Sequence, residues 1–108
     1  MAQKIHGMTL PSTREGRQNE RVQDAVDVLL FRDHFSHARA RRRLRKACVA
    51  TFAARKTHAW PPKFEPPESW REDFAAMASD LGMAVQNLDS ATEQLREFIR
   101  RIAEESEP

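Results

Sequence analysis

Arg21, Asp24 and Asp27 place one cation and two carboxylates on a segment that runs straight into Val28, Leu29, Leu30 and Phe31. At 100° per residue, Val22, Val26, Leu29 and Leu30 form an apolar stripe, and the three charges lie on its opposite side. Val28 and Phe31 fall among those charges, so the helix reads as apolar nearly all round and is expected to be buried on both faces. A buried carboxylate without a partner costs roughly several kcal/mol or changes its pKa. Two arrangements satisfy that demand. Asp24 and Asp27 can orient a nucleotide, a catalytic lysine or a Mg²⁺ ion held mainly elsewhere, because Mg²⁺ takes few protein carboxylates. Alternatively, Arg21 and Asp24 pair locally, and Asp27 meets Lys4 or a basic residue of the Arg14–Arg17 loop.

Other chemically capable residues are sparser. His34 and His37 share one helical turn, but no cysteine or second histidine pair accompanies them, and His6 and His58 stand apart, so no metal site is expected. Cys48 is in line with Leu44 and Phe52 at helical spacing, as a packed core thiol would be. Gly7, Gly16 and Gly82 are too scattered to cradle a phosphate. The densest charge lies between Arg39 and Lys46, where five arginines and one lysine fall within eight residues. Arg41, Arg42, Arg45 and Lys46 are candidate nucleic-acid contacts, with a solvated helix face as the plain alternative. No aromatic residue interleaves them for base stacking.

Several stretches resemble the closing part of the AbiEii/AbiGii nucleotidyltransferase toxin family. They are Lys4 to Thr9, the loop Arg14 to Glu20 with Arg21 to Leu30, and Ala50 to His58 with its following prolines, Pro67 to Arg71 and Leu95 to Phe98. The resemblance covers Gln3 to about Ile102. Its most specific element is the family's Arg-x-Lys-Asp-x-x-Asp signature, matched by Arg21, Asp24 and Asp27 and departed from at Gln23. It implies supporting catalytic roles for Asp24, Asp27 and Arg21, and a phosphate-binding role for Lys4 with Arg21. Full-length relatives transfer a nucleotide from an NTP, with Mg²⁺, to a cellular acceptor such as RNA, in toxin–antitoxin and phage-defence systems. The Gly-Ser turn and metal carboxylates of their polymerase-β-like domain have no counterpart here. The chain therefore reads as a C-terminal fragment or truncated member, holding no cofactor and inactive alone. Its expected partners are the missing nucleotidyltransferase domain or a cognate antitoxin, with RNA or weak self-association through the Val28 and Phe31 face as further possibilities.

The elements that must position these residues read as an all-α bundle of about five helices with a Pro-rich connector, resembling that family's helical tail. Residues 2–10 form a short helix stopped by Pro11, residues 12–18 a polar loop, Asn19 to Arg32 the signature helix, and Ser36 or Ala38 to Lys56 the basic helix. Four prolines between Thr57 and Glu68 exclude helix there, and Trp60 and Phe64 should pin this connector to the bundle. Ser69 with Glu72, and Ser90 with Glu93, match the capping box and predict the starts of two helices that pack as an antiparallel pair. Gly82 closes the first of the two. Residues 1–57, 58–68 and 69–108 thus make one compact domain.

With 108 residues, 40% of them hydrophobic, a single modest core is possible. One cysteine excludes an internal disulfide, and the absence of a secretory pattern or a long apolar run points to a soluble, cytoplasmic protein without membrane attachment. Three function classes remain: the nucleotidyltransferase tail, an RNA- or protein-binding module built on residues 39–46, and a structural fragment without activity.

Overall fold

The structure, a computed structural model, describes residues 1–10 and 18–105. The described residues form five α-helices, α1 (Ala2–Met8), α2 (Gln18–Phe31), α3 (Ala38–Arg55), α4 (Trp70–Asp80) and α5 (Leu88–Glu104), with a 3₁₀ turn at Arg32–Phe35. No strand occurs among the described residues. The expected polar loop with Gly16 lies outside them, except for Gln18, which begins α2 rather than ending the loop.

Helix α2 is the hub, packed against α1, α4 and α5. Val22, Ala25, Val26, Val28 and Leu29 are buried, and these positions span more than one face, so the all-round apolar pattern has its predicted consequence along most of the helix. The end of α2 departs from that expectation. Leu30 and Phe31 are 43% and 47% exposed, because the chain leaves through the 3₁₀ turn before either reaches a neighbour that would cover it. Phe31 stacks on His34, while Val28 is fully enclosed.

Helix α3 buries a narrow apolar stripe, Leu44, Cys48 and Phe52 at i, i+4 and i+8. Cys48 is completely buried, and burial pushes its thiol up to about 12, the behaviour of a core residue. The connector after α3 contains neither helix nor strand, with the Trp60–Pro61 bond cis. Phe64 is buried against Trp70, Trp60 meets Phe52 edge-on, and Arg96 Nε donates to the Phe64 carbonyl at 2.8 Å, so the connector is pinned as expected.

Two helix starts differ from the capping-box expectation. Asn87, not Ser90, caps α5: its side-chain oxygen accepts from Ser90 N–H at 2.8 Å. The buried Leu88 belongs to the core, which draws the helix back by most of a turn. Ser69 precedes α4 but makes no capping bond, since its hydroxyl donates to Gln18 Oε1 at 2.7 Å and ties α4 to the start of α2. Helix α4 accordingly lies mainly against α2, and less against α5. Gly82 ends α4 as predicted, at φ +63°. Its N–H donates to Ser79 O and that of Met83 to Ala78 O, the paired bonds of a Schellman motif.

Candidate functional site

Lys4 on α1 reaches across to α2. Its Nζ donates to Asp27 Oδ2 at 2.7 Å and lies 4.0 Å from Asp24 Oδ1. Gln23 Nε2 donates to the other Asp27 oxygen at 3.1 Å. Asp27 is thus held on both oxygens, with Lys4 its cationic partner and Gln23 a neutral one. A lysine in place of Gln23 would put a second ammonium beside Asp27. The hydrogen bond to Asp27 raises the Lys4 pKa against the opposing effect of burial, so Lys4 stays charged throughout the neutral range.

Asp24 stands differently. Among the described residues it accepts no hydrogen bond, and its closest cation is Lys4 at 4.0 Å. Burial raises its pKa more than Lys4 lowers it, with Asp27 and Glu20 adding repulsion. Its carboxylate occupies the space left by Gly7: a Cβ built on Gly7 would overlap Asp24 Oδ2 and stand 3.4 Å from Asp24 Cγ. An under-satisfied, partly buried carboxylate next to an ammonium is an arrangement typical of ligand-binding sites.

Arg21 does not join this group. It forms no ion pair with Asp24 among the described residues, and its Nη1 turns back to the Leu10 carbonyl at 3.5 Å, too long for a strong bond. The two carboxylates do not fit a Mg²⁺ site either, since both Asp27 oxygens are committed and the Lys4 ammonium stands where a cation would bind. The positive charge that this site can offer a phosphate is therefore that of Lys4.

The basic helix sorts its cations by face. Arg41 is engaged: Nε meets Glu105 at 2.7 Å, and Nη1 donates to the Phe35 and Ser36 carbonyls. Arg42 and Arg45 are half-buried. Lys46 is exposed, and so are Arg39 and Arg43. Arg39, Arg43 and Lys46 follow one another at i, i+4 and i+7, a ridge about 10 Å long. Helix α3 carries seven cations and no carboxylate, so the remainder of the chain has 18 − 7 = 11 cations against 16 carboxylates, a balance of −5.

A third polar group was not foreseen. His6 on α1 and Thr9 at its C-cap meet Thr57 and His58 just beyond α3, where Lys56 at φ 53° turns the chain. No described helix is long and apolar enough to cross a membrane. Comparison of the chain with protein-family models gives no match, and comparison with curated proteins gives none either.

Proposed function

We propose that this chain serves as the helical portion of an AbiEii-type nucleotidyltransferase, in which Lys4 contacts the nucleotide phosphates and Asp24 and Asp27 control that lysine. The observation that carries the reading is the Lys4–Asp27–Asp24 contact, which unites the residues of the α1 motif and of the Asp-x-x-Asp signature across 23 positions of sequence. Asp27 orients the ammonium and keeps it charged, and Asp24 retains acceptor capacity for a ligand hydroxyl beside it. Phosphoryl transfer depends on such positioning and on charge stabilisation. The metal and the attacking group's activation would come from residues outside this constellation. The test is equilibrium binding of ATP, GTP, CTP and UTP to the chain and to Lys4→Ala. Binding that this substitution abolishes is expected, with no nucleotide transfer by the chain alone; binding indifferent to Lys4 contradicts the proposal.

A second reading is favoured by the charge distribution. A helix of +7 on a body of −5 is suited to a nucleic-acid backbone, and Arg39, Arg42, Arg43 and Lys46 pair with no carboxylate among the described residues. Four phosphate contacts would give log K a slope of about −3 against log salt. A shallower slope, or binding unchanged in Arg39→Gln/Arg43→Gln, would reject this reading.

A further inference from the structure

We infer that His6, Thr57, His58 and Thr9 form a proton-ordered clamp that positions α1, and with it Lys4, and that opens as pH falls below neutrality. The clamp is independent of what Lys4 binds.

The direction of each bond follows from counting protons. Thr9 Oγ1 is buried and donates to the Ile5 carbonyl at 2.8 Å, the usual back-bond of a helical threonine, with His6 O at 3.2 Å. Its single proton is committed there, so its 2.8 Å contact with His58 Nε2 must be donated by the imidazole. A neutral His58 protonated at Nε2 has a bare Nδ1, which accepts from the Thr57 hydroxyl at 3.1 Å. Thr57 has then used its own proton and must accept from His6 Nε2 at 2.8 Å. The chain of donors runs from His6 through Thr57 to His58, then through Thr9 to Ile5. Both imidazoles are neutral, and both carry hydrogen on Nε2.

One added proton disturbs this order. On His58 Nδ1 it would reverse the bond with Thr57, whose hydroxyl must then turn its proton to solvent and accept from both rings. On His6 it would create a cation in a residue 4% exposed, whose ring lies 4.8 Å from His58 and edge-on to Phe52. The charged groups around the rings do not help. Arg55 at the end of α3 repels a charged His6, and on α1 itself Lys4 is directed at Asp24 and Asp27 of α2. Among the described residues no carboxylate forms an ion pair with either ring. Burial first, then His58 and Arg55, lower the His6 pKa, and burial lowers that of His58. Both folded values therefore lie below 6.5. The clamp is complete above that pH, and its stabilisation is lost as pH falls through the folded values.

Helix α1 depends on such anchors because seven residues cannot sustain a helix alone. Ile5 and Met8 give it apolar contacts, and the clamp fixes its C-terminal end to a segment 49 to 51 residues away. Opening it frees the element that carries Lys4 and Gly7.

Nitrogen-detected NMR of the two imidazoles and amide hydrogen exchange, read as protection factors from pH 7.5 to 5, test the inference. At pH 7.5 both rings should show hydrogen on Nε2. Protection of α1 should fall about ten-fold relative to α5 for each pKa unit by which the rings are depressed. His58→Gln preserves a donor for Thr9 and an acceptor for Thr57 without titrating, so it should retain α1 protection at pH 7.5 and reduce the pH dependence. Hydrogen on Nδ1 of either ring overturns the inference, as does α1 protection that is flat with pH in the unsubstituted protein. Should His58→Gln fail to fold, the tautomers and the unsubstituted protein's pH profile decide between these outcomes.

Discussion

The Asp24 carboxylate occupies the volume that a side chain on Gly7 would fill. Gly7 lies inside helix α1, where glycine is less favourable than alanine by about 1 kcal/mol, and its φ is not in the left-handed region. Its value at this position is therefore space for a neighbour rather than backbone freedom. That space lets Asp24 stand beside Lys4.

Gly7→Ala should consequently separate stability from the site. The overlapping atom is the end of a side chain that can rotate, so denaturation midpoints should stay level or rise, by no more than about 1 kcal/mol. Carboxyl NMR should show Asp24 displaced from Lys4, and nucleotide binding should weaken. A large loss of stability with Asp24 unmoved would contradict the packing described.

Asp24→Asn should stabilise the protein at neutral pH. The fold raises the Asp24 pKa above 3.8, so its stabilising contribution is present below that value and is lost as pH rises through the folded value. Asparagine does not ionise and avoids this loss. A small gain, limited by solvent screening of this partly exposed carboxylate, is expected at pH 7 and should disappear below pH 3.8 in urea unfolding followed across pH. A loss at pH 7 would mean that the ion pair with Lys4 outweighs burial.

The corrected start of α5 predicts which cap matters. Asn87→Ala should cost about 1 kcal/mol, and Ser90→Ala close to nothing, when unfolding midpoints are compared. The reverse order would restore Ser90 as the cap.

Phe31 and Val28 should part company despite their shared place in the sequence pattern. Phe31→Glu should leave the fold intact and reduce any self-association in sedimentation, since the ring is 47% exposed. Val28→Glu should unfold the protein, because it would bury a carboxylate in the core.

The helices, and Lys4 as one of the cations open to Asp27, were legible because their signals are local or chemically constrained: the 3.6-residue period, the prolines, and a partly buried carboxylate that needs a cation. Arg21 misled because its spacing to Asp24 permits an ion pair without requiring one. Ser90 misled because a Ser-x-x-Glu match says nothing of the core position taken by Leu88. Arg41 read as a free basic residue, yet it closes on Glu105, 64 positions away. The histidine and threonine clamp joins residues about 50 positions apart, and no periodicity marks such a meeting. Gly7 was invisible as a site residue because its contribution is a volume.

The most direct test of the Lys4–Asp24–Asp27 site is the ¹H–¹⁵N map of the protein during titration with a nucleoside triphosphate. Perturbations should be confined to residues 4–7 and 21–27, with the Lys4 ammonium shifting and the same titration silent in Lys4→Ala. Perturbations that spare both segments, or that persist unchanged without Lys4, would contradict the assignment of this site.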